Sequence, residues 1–310
     1  MRRFCLVTAF TLASHLSAFA AVAGDAGSSD TQSSTNSESN KVGDQIEGTF
    51  KSFDPGADIV IVSVGAADMP LTVGNAEAIK AFADAKPGDQ VNFVPEGTGA
   101  QKKINKLMGV SRSTSGQDRT ITLVVSFAAI VGIASLLLRR SPLAFLVGVD
   151  NRYSNSQTQM ALWFVTVATV YAGTVVLRIW SLGFDYVGGV SIPENLLLLS
   201  GLSAFTFGGA KVVTVQKTQS DGDKPKAAAP RLADLVQNDD KEADLGDFQM
   251  IFITLAAVGI FSVSAFHFLG RLSLLGGVTL PEVDSTLLGG FALGQGAYLF
   301  KKVALPPGKG

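Results

Sequence analysis

The pattern of apolar and polar positions changes near residue 120. Before that point, apolar residues come in short groups, such as IEGTFKSFD and DIVIVSV, with Asp54-Pro55-Gly56-Ala57 between them. Short runs rich in β-branched and aromatic residues, bounded by turn residues, are typical of strands. After it, the apolar residues form runs long enough to cross a bilayer. The pattern therefore predicts a small β-domain followed by transmembrane helices.

Residues 42–108 predict a barrel of five short strands and one helix. MPLTV is the expected third strand, and Asn75 is placed to cap the helix AEAIKAFADA that follows it. The turn in KPGDQV then leads into the fourth strand. The "G-x-F-x-S-x-D" opening and the late "KPGDQV" turn resemble small periplasmic OB-type barrels, including the copper-chaperone kind. A soft-metal site needs several His, Met or Cys ligands together, and this segment has no His and one internal Met, Met69. We therefore expect no metal and no other cofactor.

Five apolar runs predict five transmembrane helices. The first run, Thr120–Leu138, contains no charge and is followed at once by Arg139-Arg140. We assign residues 109–158 to this helix and to the cytoplasmic segment that follows it. A helix needs about 20 mostly apolar residues to cross a bilayer. The other four runs are Met160–Leu177, Asn195–Val213, Phe248–Leu269 and Ser285–Phe300.

The N-terminus predicts export of the barrel. Residues 1–23 have the order of a cleavable signal peptide, and cleavage after Ala20 and after Ala23 fit equally well. The single cysteine lies within this signal, so the mature chain has no thiol. Residues 24–41 are polar and predict a disordered tether.

The distribution of positive charges independently predicts that the barrel lies outside the membrane, as the signal peptide does. Lysines and arginines are concentrated in the predicted cytoplasmic segments, whereas the two predicted outer loops hold essentially Arg178 and Arg271. We expect a multi-pass protein of the bacterial inner membrane, with the barrel outside and a cytoplasmic tail at 304–310.

The last four helices predict two copies of one helical hairpin, at 159–213 and 248–303, joined by a cytoplasmic linker at 214–247. Gln-to-Pro spacings are 34 and 32 residues, and Pro-to-Lys spacings are 18 and 20. We expect each proline in the first turn of a helix, where a missing N–H costs nothing, and each following glutamate at the positive end of the helix dipole. The matching landmarks are Gln159, Arg178, Pro193, Glu194 and Lys211, then Gln249, Arg271, Pro281, Glu282 and Lys301.

The segments NRYSNSQTQMALWF and IPENLLLLSGLSAFTFGGAK, with weaker second copies, resemble a group of uncharacterised bacterial multi-pass membrane proteins. In that group, "G-x-D-x-R-[YF]-S-x-S-x-x-Q" leads into one helix and "[IL]-P-x-x-L-L-x-L-x-G" opens the next. The resemblance covers about 145–303 and implies the duplicated architecture. The complete prediction is an α+β fold, with an OB-like barrel followed by an all-α bundle of five transmembrane helices.

A few polar and small residues are candidates for contacts. Gln295 is the one strongly polar mid-span residue, for which we favour an interhelical hydrogen bond over a substrate contact. Asn151, Arg152 and Tyr153 either dock a cytoplasmic partner or only lead into a helix capped by Ser154 or Ser156, the reading that we favour. Small-residue spacing predicts close helix packing or self-association at Ala204, Gly208, Gly290 and Gly294.

The residues favour a binding role over a catalytic one. The mature chain has one histidine, His267, no phosphate-binding glycine loop and no acidic residue near the middle of a span. With a net charge of −1, no global field favours nucleic acid. We expect a non-catalytic protein that displays its barrel to bind or scaffold an envelope protein, in contact with lipid and capable of self-association. The alternative is a channel or transporter component; an enzyme is the least favoured class.

Overall fold

The computed structural model describes residues 45–97, 102–139, 141–148, 150–220, 227–237 and 242–304, with the backbone alone at 213–220 and 301–304. The predicted signal peptide, tether and most of the predicted tail lie outside these residues. So do parts of the predicted linker, at 221–226 and 238–241.

The N-terminal part is a closed barrel of five strands, as predicted. Four antiparallel pairings give the order β3-β2-β1-β4-β5, and a parallel pairing of β3 with β5 closes it. Strand β5 continues past residue 108, where the barrel was expected to end, because its last residues pair with a strand outside the barrel. The elements are β1 Ile46–Asp54, β2 Ile59–Val64, β3 Ala67–Thr72, α1 Ala76–Asp84, β4 Gln90–Glu96 and β5 Lys102–Ser113.

Alternating apolar residues fill the barrel, and α1 covers one end of its core. Phe82 of α1 stacks on Phe50 of β1, with ring centroids 6.0 Å apart. The Asn75 side chain accepts a hydrogen bond from the Glu77 N–H at 3.0 Å, so this residue caps α1 as the sequence predicted. Gly48 permits a close approach of β1 and β2, since a Cβ there would lie 2.5 Å from Val62 Cγ1.

Five helices follow the barrel: α2 Gly116–Leu138, α3 Asn155–Leu182, α4 Glu194–Ser220, α5 Leu245–Phe268 and α6 Ser285–Ala304. Three of them, α2, α3 and α5, are long and apolar enough to cross a membrane. Among the described residues, the structure therefore supports three of the five expected transmembrane helices, and α4 and α6 are not among the three.

Helices α3 to α6 enclose the core of the bundle, and α2 packs on the outside of α3. Trp163 of α3 lies 6.2 Å from Phe261 of α5 and 6.0 Å from Phe291 of α6, measured between ring centroids. The contact with α2 depends on Gly173, where a Cβ would lie 3.1 Å from Leu123 of α2. Ser126 is the one buried residue described in α2.

Three short strands lie in the loops at the end of the bundle that faces the barrel, which we call the barrel end. They are β6 Val190–Ser191, β7 Arg271–Ser273 and β8 Val278–Thr279. Strand β7 extends the barrel sheet through β5, and β6 pairs with β8 in parallel. The parallel pairing joins Val190 to Val278, each three residues before a landmark proline.

The opposite end of the bundle, which we call the distal end, holds two loops with matching hydrogen bonds. A bridge joins Val147 to Tyr153 before α3, and another joins Gln237 to Ala243 before α5. A 3-10 turn precedes each bridge, at Pro142–Leu146 and Leu232–Leu235. Asp244, the N-cap of α5, accepts hydrogen bonds from the Gly246 and Asp247 N–H groups; Ser154 is the N-cap of α3, without a side-chain capping bond. The similarity of the two halves thus begins upstream of Gln159.

Candidate functional site

Arg112 joins the barrel to the bundle. Its guanidinium pairs with Asp89 at 2.9 Å, and both side chains are largely buried. It also donates to the carbonyl oxygens of Ser181, at the end of α3, and Asp84, at the end of α1. A cation at the C-terminus of a helix is favoured by the helix dipole. One side chain thus satisfies the ends of two helices and fixes their relative position.

A second set of contacts continues this junction around β7. Thr114 donates from its hydroxyl to the Leu269 carbonyl at 2.6 Å and from its N–H to the Gly270 carbonyl at 3.0 Å. Arg119 donates to the Phe266 carbonyl at the end of α5 and lies over the Phe266 ring. Main-chain and side-chain bonds therefore attach the barrel to both α3 and α5.

Arg178 and Tyr186 form the third part of the junction. Arg178 is 1% exposed and donates to the carbonyl oxygens of Tyr186 and Gly276, at 3.0 and 3.1 Å. The Tyr186 hydroxyl donates to the Asp84 carboxylate at 2.7 Å. Burial raises the pKa of Tyr186 above its ordinary value, and the hydrogen bond to Asp84 raises it further. The phenol is therefore held neutral.

A cleft of about 410 Å³ opens between the barrel and the loops of the barrel end. Helix α1 forms one wall, and the loops that follow α3 and β7 form the other. We call this the junction cleft. It is lined by Glu77, Lys80, Arg178, Asp185, Tyr186, Gly188, Gly189, Leu274 and Gly276. Small-molecule sites often lie at domain interfaces, with volumes of about 300–1,000 Å³.

The middle of the bundle contains a layer of buried polar residues, one from each of four helices. We call Gln159, Ser203, Thr254 and Gln295 the polar layer; each is at most 1% exposed. Gln159 donates to Thr254 at 2.6 Å. Among the described residues, Gln159 Oε1, Ser203 Oγ and both polar atoms of Gln295 have no hydrogen-bond partner. The interhelical hydrogen bond predicted for Gln295 is thus absent among the described residues, whereas Gln159 makes one with Thr254.

The polar layer separates two apolar clusters. The larger one, towards the barrel end, includes Trp163, Leu199, Ala257 and Phe291. The smaller one, towards the distal end, contains Ala210, Met250 and Tyr298. A polar layer between two apolar ones is costly in a membrane interior unless its groups find partners.

The landmark residues of the two predicted hairpins lie in different environments. Gln159 is buried and Gln249 exposed, because the buried face of α5 begins one residue later, at Met250. Arg178 lies inside α3, whereas Arg271 lies in β7, is exposed and is 3.4 Å from Glu47. The matched arginines therefore serve different contacts.

The proline and glutamate landmarks, which precede the second helix of each predicted hairpin, also differ in their position relative to that helix. Pro193 lies immediately before α4, and its carbonyl accepts hydrogen bonds from Leu196 and Leu197. The expectation that Pro281 lies in the first turn of a helix is wrong, because α6 begins at Ser285 and Asp284 accepts the Thr286 N–H. Glu194 is in the first turn of α4, whereas Glu282 precedes α6 altogether.

The remaining landmarks are the two lysines. Lys211 is exposed, and its ammonium lies 5.6 Å from the centroid of the Phe207 ring. Lys301 belongs to the part of α6 for which the backbone alone is described.

Most of the predicted small-residue contacts are absent from the described bundle. Ala204 and Gly290 are exposed, and a Cβ at Gly208 or Gly290 would meet no atom within 4 Å. A Cβ at Gly294 would lie 3.8 Å from Ile253 Cδ1, an ordinary contact distance. Self-association through these residues stays a prediction.

Asn151, Arg152 and Tyr153 contact the chain itself. The Asn151 amide donates to the Ala227 carbonyl at 2.7 Å, and the Tyr153 N–H donates to Asp234 at 3.4 Å. Arg152 accepts the Gly148 N–H through its carbonyl. Asn151 and Tyr153 therefore hold the two distal loops together, and residues 227–237 of the predicted linker are attached to the loop before α3.

No protein-family model, curated protein or solved structure matched the chain. Within the described residues, no group of three or more His, Cys, Asp and Glu side chains has an arrangement suited to a metal ion. The junction cleft was missed from the sequence because its four charges come from α1, from α3 and from the loop after α3, and no spacing in the sequence connects α1 to the other two. Ser203 and Thr254 of the polar layer were not predicted from the sequence either. Gln295 alone was recognised there as a strongly polar residue in the middle of a span.

Proposed function

We propose that this chain is a non-catalytic protein of the bacterial inner membrane that holds an OB-type barrel against the outer surface to bind an envelope protein. The observation that carries the proposal is the junction: Arg112, Thr114 and β7 fix the barrel to the helix ends. A barrel fixed in this way presents one surface in a constant orientation above the membrane. That arrangement suits a scaffold.

Five crossings are part of this proposal. The Asn151–Ala227 hydrogen bond indicates that α4 returns to the distal end, where α3 begins. Helix α6 has 20 residues and is therefore about 30 Å long, which matches the hydrocarbon thickness of a bilayer. The mid-helix polar residues Ser203 of α4 and Gln295 of α6 face the interior of the bundle, which is compatible with a membrane-spanning position of both helices.

Duplication of a helical hairpin is also part of the proposal. It is supported by the distal loops, whose bridges fall at 147–153 and 237–243, and by the in-register pairing of β6 with β8. Strands that pair in parallel at matching positions are expected when two copies have the same direction across the membrane.

The barrel connectivity supports the choice of one barrel face as the proposed binding surface. A helix between β3 and β4, with β1 beside both β2 and β4, is compatible with an OB-type barrel. Such barrels bind ligands on the β2–β3 face and the adjoining loops. In this chain, Ile59 and Thr72 are paired neighbours on these strands, and both are exposed.

In vivo photo-crosslinking tests this proposal. A photoreactive amino acid placed at Ile59 or Thr72 should give an adduct of defined mass with an envelope protein. Lys106 on β5 is exposed and lies outside this face, so the same label there is the control. Absence of an adduct from the β2–β3 face, or equal adducts from Lys106, would contradict the proposal.

A second candidate function, a channel or transporter component, is favoured by the polar layer alone. Unpaired amide and hydroxyl groups in a membrane interior suit the passage of small neutral molecules. Flux of such solutes into proteoliposomes, compared between wild type and Gln295→Leu, distinguishes this candidate from the scaffold.

A further inference from the structure

The junction cleft contains charges that the protein itself does not neutralise. Within the described residues, Glu77, Lys80, Arg178 and Asp185 form no ion pair with one another or with any other group. Two of these groups are cationic and two are anionic. Arg178 is the buried member of this set, and a buried charge without a counter-ion is unfavourable. Glu77, Lys80 and Asp185 are exposed at the cleft, where a ligand can reach them.

Arg178 is the strongest indication of a ligand. Its protein partners are the neutral carbonyl oxygens of Tyr186 and Gly276, and its Nη1 atom has no hydrogen-bond partner among the described residues. The guanidinium, which is 1% exposed, also lies over the Tyr186 ring at 5.7 Å from its centroid, but no anionic group of the described residues pairs with it. A carboxylate or phosphate oxygen is the group that an arginine fork binds best.

The carboxylates at the same cleft exclude a simple anion. Glu77 and Lys80 are three residues apart on α1 and so share one face of the helix. The Glu77 carboxylate reaches the far wall, where a Cβ on Gly276 would lie 3.7 Å from its Oε1 atom. Asp185 adds a second exposed carboxylate. A simple anion would meet these two carboxylates, and a simple cation would meet Lys80 and Arg178.

We propose that the junction cleft binds a small zwitterion, a molecule with one anionic group and one ammonium group. Arg178 and Lys80 bind the anionic group, while Glu77 and Asp185 bind the ammonium. The inference extends the proposed function, on which it rests for the extracytoplasmic location of the cleft. A volume of about 410 Å³ admits a dipeptide or a phosphoethanolamine group.

Two kinds of zwitterion are available at the outer surface of a bacterial inner membrane. A dipeptide or amino acid carries a carboxylate and an ammonium, and the headgroup of phosphatidylethanolamine carries a phosphate and an ammonium. Arg178 lies four residues before the end of α3, and Trp180 beside it is 84% exposed, as is typical of a membrane interface. The cleft is therefore within reach of both.

Calorimetric titration of the purified full-length protein in detergent tests the soluble source. The probes are glycylglycine and O-phosphoethanolamine, with acetylglycine and ethylamine as singly charged analogues. We expect both zwitterions to bind, and each analogue to bind at least about tenfold more weakly, because loss of one charged hydrogen bond removes at least that factor. Lys80→Met and Glu77→Gln should each weaken zwitterion binding by about tenfold or more.

Native mass spectrometry from nanodiscs tests the lipid source. Wild type should retain phosphatidylethanolamine in preference to phosphatidylglycerol, and Glu77→Gln should remove that preference. Lys106→Met and Glu96→Gln change exposed charges outside the cleft and are the matched controls.

Either source supports the proposal if the cleft variants lose binding and the controls keep it. Equal binding of a zwitterion and its singly charged anionic analogue would overturn it, as would the absence of binding in both experiments. The crosslinking test uses the β2–β3 face of the barrel, so failure of the zwitterion site leaves the scaffold function separately testable.

Discussion

At the scale of single residues, Arg112 has the largest expected effect on stability. Its partner Asp89 is 5% exposed and also accepts the Lys86 N–H at 2.8 Å. Removal of one member of a buried ion pair leaves the other charged and unpaired, which commonly costs about 3–5 kcal/mol. Substitution of either residue alone should therefore destabilise the protein.

We predict that Arg112→Met lowers the unfolding free energy by about 3 kcal/mol, because the Asp89 charge loses its counter-ion. Chemical unfolding of the purified protein, followed by intrinsic fluorescence, measures this change. Addition of Asp89→Asn should recover part of the loss. The control is Lys51→Met, which breaks the exposed Lys51–Asp68 pair at 3.0 Å and should change the unfolding free energy much less than Arg112→Met does. Equal losses for the two variants would contradict the prediction.

The raised pKa of Tyr186 leads us to expect a loss of stability at alkaline pH. Burial and the hydrogen bond to Asp84 raise its pKa in the folded state above the ordinary value of 10.0. A neutral phenol is thus favoured by folding, and its contribution is complete below the pKa of the unfolded state. It is lost as the pH rises from about 10 towards the folded pKa.

We therefore expect the unfolding temperature of wild type to fall more steeply above about pH 10 than that of Tyr186→Phe, which lacks the titrating group. At neutral pH the variant should be less stable, since it loses the bond to Asp84. Parallel curves for the two proteins above pH 10 would show that Tyr186 does not contribute.

The sequence predicted residues with a local role better than residues with a distant partner. Asn75 was identified as a helix cap because its partner is two positions away. Arg112 could not be identified, since Ser181 lies 69 residues further along the chain. Charge and composition give no information on such pairs.

At the scale of elements, β7 is the feature that the sequence did not predict. It has three residues, Arg-Leu-Ser, too few for an alternating pattern to be recognised. Its strand conformation comes from β5, which supplies the hydrogen-bond partners. The five barrel strands were predictable because each carries its own apolar pattern.

We predict that Ser111→Cys with Ser273→Cys forms a disulfide. Ser111 and Ser273 are paired across β5 and β7, at a position between the hydrogen-bonded pairs, where Cα atoms are about 4.5 Å apart. That distance is compatible with a disulfide. Peptide mapping without reductant measures the bond.

Ser113→Cys with Ser273→Cys is the matched control, because those two positions are diagonal neighbours about 7–8 Å apart. The register of β5 against β7 would be wrong if the control formed the bond as readily as the paired variant.

At the scale of the whole molecule, the number of crossings decides the location of the distal loops. With five crossings, residue 232 and the barrel lie on opposite sides. If α2, α3 and α5 alone crossed, residue 232 would lie on the same side as the barrel. Leu232 is 75% exposed, so it is suitable for labelling.

We predict that a membrane-impermeant maleimide labels Lys106→Cys in intact cells with a permeable outer membrane, and labels Leu232→Cys after lysis only. Both variants retain the same signal segment, so the sole background thiol, Cys5, is common to them. Labelling of both positions in intact cells would exclude five crossings and the orientation proposed here.

The Thr114–Leu269 contact also imposes an order on biogenesis. Its two residues are 155 positions apart, which corresponds to roughly 10–30 s of synthesis at about 5–20 residues per second. During this interval the barrel strands are all present, but residues 111–113 at the end of β5 lack their β7 partner and are a template for association with other strands. A chain whose synthesis stops before residue 271 therefore exposes this short strand edge, and a chaperone or protease would encounter that intermediate before the finished protein exists.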